Sequence, residues 1–350
     1  MARAGRRFRF AFSPPPVDGE LLGSWLHRMA IGHAASGLEF TQLAGGDIDW
    51  RPPSELLAQL AGGSDLPVSR LRAMTLSAAN PHANREHFAL AQSPFPGCHA
   101  FCPVCALEDI EAYGAVIQRA ENAWVWSAAC VQHGCMLDGV ARPADVTPRR
   151  SRTAAWEDGS ITPVSRAMPA PAFLVVLQST AQDASRGVTP DERWLIRDPE
   201  MFLRAIRRCI DLLMLKAPHN AYSSGLGQLV GHVWPQTRTM GETSWRADWL
   251  GRLPTPERVR ALAGVASLLA DPSGGLSASL ATWLGGDAST RPWGRVGVEW
   301  GPSQLITARN FVAAWPNPLR REAAEGLGHC ISALQRRGYY IPDVTLGPNG

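Results

Sequence analysis

Two short turns hold the clearest chemistry in this chain. Cys102-Pro103-Val104-Cys105 sets two thiols two residues apart, and Cys130-Val131-Gln132-His133 sets a thiol and an imidazole at the same spacing. Each pair can grip a metal ion from one tight turn. Together they supply the Cys3His shell that zinc takes in closed structural sites. Four protein ligands leave no open position for water or substrate, so such a centre is first a folding device. Cys98, His99 and Cys135 lie near enough to stand in, Cys98 for Cys102 and Cys135 for His133. The matched spacing on both sides favours Cys102, Cys105, Cys130 and His133 around one structural Zn2+. Cys209 and Cys330 fall in helix-like stretches and read as core thiols.

No motif for catalysis accompanies the metal pattern. The sequence has no phosphate-cradling GxxxxGK[ST] loop, no HExxH helix and no GxSxG elbow. A deaminase-like His-x-Glu before the cysteine pair is also missing. Glu108, Asp109 and Glu111 follow the first ligand pair and read as a solvated acidic helix face. The chain is therefore read as not an enzyme.

The elements that must carry these turns are mainly α-helical. With 350 residues, 45% apolar and 19% charged, the chain can bury a large core in two or three domains. The net charge of +3 does not demand a polyanionic partner. Lys216 is the single lysine, and the Arg, Ala, Gly and Pro bias discounts the arginine count as a sign of nucleic-acid binding. No apolar run approaches the 18 or so residues of a membrane span. The arginine-rich start runs into prolines rather than the apolar core of a secretory signal. Cysteines arranged for metal fit a reducing cytoplasm.

The pattern divides the chain into a flexible basic arm (1–17), an N-terminal helical part (18–94), a metal-binding module (95–140), a linker (141–170) and a C-terminal helical domain (171–350). In the arm, Arg3, Arg6, Arg7 and Arg9 read as a solvated tail, with phosphate contact as the alternative. Asp18 is placed to cap a first helix whose apolar face is Leu21, Leu22, Trp25, Leu26, Met29 and Ala30, with Gly37 as its stop. Arg28 falls on that apolar face and must pair with an acid or reach the surface. Ser54 is placed to cap a second helix, Gly62-Gly63 to break it, and Pro67 to open a third with Val68, Leu71 and Met74 inward. This outline is helix-turn-helix-like, and its second helix presents Ser69, Arg70 and Arg72 as DNA-binding candidates. Trp124-Val125-Trp126 has strand-like alternation leading to the second ligand turn. Further helices start at Asp198-Pro199-Glu200 and Thr255-Pro256-Glu257, and a last one spans about Leu319 to Arg337 with Gly338 at its end.

Two segments read together resemble the TniQ/TnsD family of transposition proteins. The first runs Pro16-Val17-Asp18-Gly19-Glu20-Leu21-Leu22-Gly23-Ser24-Trp25-Leu26-His27-Arg28-Met29-Ala30. The second is Cys102-Pro103-Val104-Cys105, then a Trp, then Cys130-Val131-Gln132-His133-Gly134-Cys135-Met136-Leu137. The resemblance covers about residues 8 to 140. Many family members carry a further Cys-x-x-Cys pair for a second zinc, whereas this chain continues Asp138-Gly139-Val140-Ala141-Arg142. The resemblance implies a non-catalytic target-selection adaptor of DNA transposition. Such a protein recognises DNA or a target-bound RNA-guided effector complex and recruits an AAA+ ATPase, which engages the transposase; dimers occur in the family. A stand-alone zinc-containing DNA-binding regulator is the alternative that shares the same motifs.

Overall fold

The computed structural model describes residues 10–33, 48–82, 101–124, 126–137, 167–213, 255–284, 292–293, 302–313, 315 and 317–340. These residues are mainly helical. The chain divides into two compact units, residues 1–170 with 251–255 and residues 171–250 with 256–350.

In the first unit, α1 (Leu22–Gly32) buries Leu22, Trp25, Leu26 and Met29 against Ile48, Leu57, Leu60, Leu71 and Met74. Each fully buried side chain of this size contributes about 1.5–3 kcal/mol. The start of α1 differs from the expectation. Its N-cap residue is Leu21, whose side chain makes no cap, and Asp18 instead reaches Arg70 at 2.9 Å. The free N–H groups of the first turn are met from a distance: Asp49 Oδ1 accepts from the Gly23 amide at 2.6 Å. Gly23 permits this approach, since a Cβ there would sit 2.9 Å from Asp49 Oδ2. The helix ends at Gly32, and Gly37 lies outside the described residues.

Helices α2 (Ser54–Ser64), α3 (Val68–Ala73) and α4 (Leu76–Ala79) follow. Ser54 is the first helical residue rather than the cap, a position taken by Pro53, and Pro67 likewise takes the cap position before α3. Gly62-Gly63 does not break α2; the turn comes at Asp65, in the left-handed region at φ 61°. Gly63 has a packing role, because a Cβ there would lie 2.5 Å from Phe10 Cε2, and Phe10 is pinned by the hydrogen bond its amide donates to the Gly63 carbonyl at 2.9 Å. Gly62 has nothing within 4 Å of its would-be Cβ. Gly62→Ala is expected to stabilise by up to ~1 kcal/mol through helix propensity. Gly63→Ala is expected to lose about 1 kcal/mol, as crowding outweighs that gain. Urea melts of both variants check the opposite signs.

Residues 10–17 correct the picture of a flexible arm up to residue 17. The Trp25 indole donates to the Pro14 carbonyl at 2.7 Å, and Arg28 donates to the Pro15 carbonyl at 2.9 Å. Phe12 packs at Gly32 as Phe10 does at Gly63. Apolar side chains between the arginines and the prolines give this segment something to bury. Arg3, Arg6, Arg7 and Arg9 lie outside the described residues.

Arg28 resolves into a buried ion pair. Its Nε donates to Glu20 Oε1 at 2.9 Å and its Nη2 to Glu20 Oε2 at 2.6 Å. The same carboxylate accepts from the Ser24 hydroxyl and the Val17 amide. Arg28 also lies 5.9 Å from the ring centroid of Tyr113, on the helix α5 (Pro103–Tyr113). A bridge between Glu20 and Arg119 and the bond from the Leu21 amide to the Gln118 carbonyl join α1 to the residues after α5. The N-terminal helices and the cysteine-rich segment are thus one packed unit.

In the second unit, α6 (Ala172–Ser185) and α7 (Pro199–Leu213) pack together. Asp198 accepts from the Met201 amide at 2.7 Å and so caps α7 as its sequence foretells. Leu203, Ile206, Ile210 and Leu213 are buried while Arg204 and Arg208 are exposed. Trp194 meets Phe202 edge to face at 5.2 Å and donates to Thr180 Oγ1. Helix α8 (Thr255–Leu269) buries Val259, Leu262, Ala266 and Leu269, and α9 (Gly275–Trp283) follows. Helices α10 (Pro302–Ala313) and α11 (Asn317–Arg336) pack as a pair. Cys209 and Cys330 are buried, and burial pushes the Cys330 thiol up.

Candidate metal centre

The first ligand pair sits where a loop becomes a helix. Cys102 is the N-cap residue of α5 and Pro103 its first helical residue, where a missing N–H costs nothing. The Cys105 amide donates to Cys102 Sγ at 3.4 Å, so the turn aims both sulfurs to one side. The second pair repeats the device: the His133 amide donates to Cys130 Sγ at 3.4 Å. Strands β1 (Ala129–Cys130) and β2 (Cys135–Met136) form an antiparallel hairpin that pairs Cys130 with Cys135. Gly134, at φ 59°, takes the left-handed conformation that closes its turn. The alternation expected at 124–126 precedes the hairpin, whose first strand begins at Ala129. Trp124 and Trp126 stack at 5.2 Å with their planes 7° apart, and Val125 lies outside the described residues.

The structure brings Cys102, Cys105, Cys130 and His133 together, with ligand atoms all within 4.8 Å of one another. His133 Nδ1 lies 3.4 Å from Cys102 Sγ, 3.3 Å from Cys105 Sγ and 3.6 Å from Cys130 Sγ. Cys105 and Cys130 sulfurs are 3.8 Å apart. Ordinary zinc bond lengths put the edges of a regular tetrahedron at about 3.8 Å between sulfurs and about 3.6 Å between sulfur and nitrogen. The three sulfur–nitrogen separations and the Cys105–Cys130 separation lie near these edges, and the group can hold a metal ion. The three thiols are buried and Leu137 closes the cluster on its apolar side.

Crowded thiols cannot all ionise alone. Hydrogen bonds from Cys105 and Cys130 push the Cys102 thiol down to about 2, and the same interaction with Cys102, then Cys130, pushes Cys105 far up. A bound divalent cation removes this conflict by neutralising several thiolates at once.

Of the alternative ligands, Cys98 and His99 lie outside the described residues. Cys135 is buried with its sulfur 3.4 Å from Cys102 Sγ, and burial followed by the neighbouring Cys102 pushes it up to about 12. That environment favours a protonated thiol beside the cluster, whereas the His133 nitrogen faces all three sulfurs.

The acids after Cys105 do not form one solvated face. Asp109 is buried and accepts both guanidinium nitrogens of Arg119, at 2.7 and 2.6 Å, together with the Ile117 amide. Glu108 Oε1 lies 3.3 Å from His133 Nε2. With Nδ1 turned to the sulfurs, a proton on Nε2 facing Glu108 fixes the tautomer that ligation needs. The spacing from Cys105 to Glu108, one turn along α5, is the signal that could have found this contact. Glu108→Ala is expected to weaken metal binding about 10-fold to 100-fold. A competition titration with a chromophoric chelator reads the change.

The last residues of the expected linker join this hairpin. The Met136 amide donates to the Met168 carbonyl and the Ala170 amide to the Gly134 carbonyl, both at 2.8 Å. Residues 138–166 lie outside the described residues.

The DNA-binding candidates lie elsewhere in this unit. Ser69, Arg70 and Arg72 are exposed on α3 beside the buried Leu71. Arg70 is engaged by Asp18. An exposed pair of this kind is worth at most ~1 kcal/mol, so a phosphate can displace the acid.

Among the described residues, no helix is long and apolar enough to cross a membrane. Residues 11–137 match the model of the TniQ family. No curated protein and no solved structure matches the chain.

Proposed function

We propose, from a chain whose residues 11–137 belong to the TniQ family of transposition accessory proteins, that it is a non-catalytic adaptor in target selection. The carrying observation is that the family match spans both the α1–α4 helical layer and the two ligand turns. In this reading, Cys102, Cys105, Cys130 and His133 hold one structural Zn2+, which fixes the start of α5 against the β1–β2 hairpin. The rigid unit recognises target DNA or a target-bound complex, with Ser69, Arg70 and Arg72 as phosphate contacts rather than base readers. The chain then recruits an AAA+ ATPase that engages the transposase, in a bacterial cytoplasm.

Affinity purification of the tagged chain from its native cells, with and without nuclease, tests the reading. Recovery of an AAA+ ATPase in both samples supports an adaptor that binds it directly. Recovery only without nuclease assigns nucleic acid as the bridge. DNA with no ATPase under either condition overturns the adaptor and leaves a free-standing DNA-binding regulator.

A further inference from the structure

The end of α11 presents four solvent-facing side chains of two kinds. Arg336 and Arg337 are exposed, Tyr339 is 52% exposed and Tyr340 is 85% exposed. Among the described residues, no ion pair or side-chain hydrogen bond engages any of the four. Several exposed arginines among the described residues meet acids, Arg70 with Asp18, Arg186 with Asp183, Arg193 with Asp191 and Arg204 with Glu200, whereas Arg51, Arg72 and Arg321 are exposed without an ion pair, and none of these three is followed by exposed aromatic residues as Arg336 and Arg337 are.

The backbone here is defined. The Tyr339 amide donates to the Leu334 carbonyl at 3.2 Å and the Gly338 amide to the Gln335 carbonyl at 2.9 Å. With Gly338 at φ 87°, these are the two bonds of a Schellman motif. The exit direction of the backbone is therefore fixed, so a ligand has only the four side chains to order. Helix stability accounts for part of the composition. Cations in a last turn complement the helix dipole, and the residue after the glycine commonly packs back on the helix. Neither effect engages Tyr340, which is 85% exposed.

We propose that Arg336, Arg337, Tyr339 and Tyr340 form a contact site for single-stranded nucleic acid. The guanidinium groups meet phosphates and the phenol rings stack on bases. A base inside a duplex offers only its edges to a protein, so a stacking ring needs an unpaired base. The site lies in the second unit, outside the segment that matches the TniQ family, and does not depend on the adaptor reading.

Fluorescence anisotropy of the full chain with labelled oligothymidine, and with a duplex of the same length, tests the site. Tyr339→Ala/Tyr340→Ala is expected to weaken single-strand binding at least 10-fold and leave duplex binding unchanged. The paired Tyr→Phe variant is expected to bind as the unaltered chain does, since stacking needs the ring and not the hydroxyl. Arg336→Ala/Arg337→Ala is expected to reduce the slope of log affinity against log salt by about 1.4, the loss of two phosphate contacts. Far-UV circular dichroism confirms that each variant keeps its helices. Absence of single-strand binding by the unaltered chain overturns the proposal. So does a tyrosine variant that binds the single strand normally, or one that loses strand and duplex equally.

Discussion

Cys105→Ser is expected to remove the metal and to unfold the segment between Phe101 and Leu137. Cys105 Sγ faces both Cys130 Sγ and His133 Nδ1, so its loss opens one corner of the tetrahedron. Without metal the two turns keep their amide-to-sulfur bonds, a short hairpin and backbone bonds to Ala106, Met168 and Ala170, but no coordinate bond joins one ligand pair to the other across the buried sulfurs. Structural zinc sites contribute about 10–16 kcal/mol of binding free energy, comparable with the whole stability of a domain, about 5–15 kcal/mol. Metal analysis should fall from one equivalent to none. The near-ultraviolet dichroism of the stacked Trp124–Trp126 pair should vanish with it. Cys209→Ala and Cys330→Ala should keep the metal, as both thiols sit in the second unit. Cys135→Ser should also keep it; metal loss there would make Cys135 the fourth ligand in place of His133. The pH dependence has a definite sign. The Cys105 proton is held tightly by Cys102 and Cys130, so metal must displace it, and apparent affinity should fall as pH is lowered. A Cys105→Ser protein that retains both metal and dichroism would sink the ligand set.

Glu20→Ala is expected to cost about 3–5 kcal/mol, the penalty for leaving one member of a buried ion pair uncompensated. Arg28 is 6% exposed and Glu20 fully buried. Arginine cannot shed its proton to escape the cost. The substitution also strips acceptors from the Ser24 hydroxyl and the Val17 amide. By contrast, Asp18→Ala removes an exposed pair with Arg70 and should change stability by less than ~1 kcal/mol. Urea denaturation of the two variants measures the difference. A double change, Glu20→Leu with Arg28→Met, should recover much of the loss, because apolar side chains can fill a buried ion-pair site without unpaired charge. A Glu20→Ala protein within 1 kcal/mol of the parent would show that Arg28 reaches water.

The sequence by itself determined whatever is encoded within a few residues. Spacing of two between ligands makes a turn that points both donors one way, so Cys102 with Cys105 and Cys130 with His133 could be read directly. The apolar periodicity of α1, α7 and α8 marked their buried faces, because a helix repeats every 3.6 residues whatever it packs against. Asp198 and Gly338 were readable as helix ends because their partners lie in the same turn.

Only the tertiary structure decided which distant groups meet. Asp18 and Asp49 are equally capable of capping, but the turn preceding Trp50 approaches the start of α1, so Asp49 meets Gly23 and Asp18 is left to Arg70. Gly62 and Gly63 look alike in sequence; the course of Phe10 across α2 makes only Gly63 necessary. Glu108 and Asp109 are adjacent carboxylates on one helix, yet one faces His133 and the other is buried against Arg119. The physical reason is the same each time. A polar side chain is satisfied by any partner of opposite character, so its own neighbours in sequence cannot say which one the packed core will bring within reach.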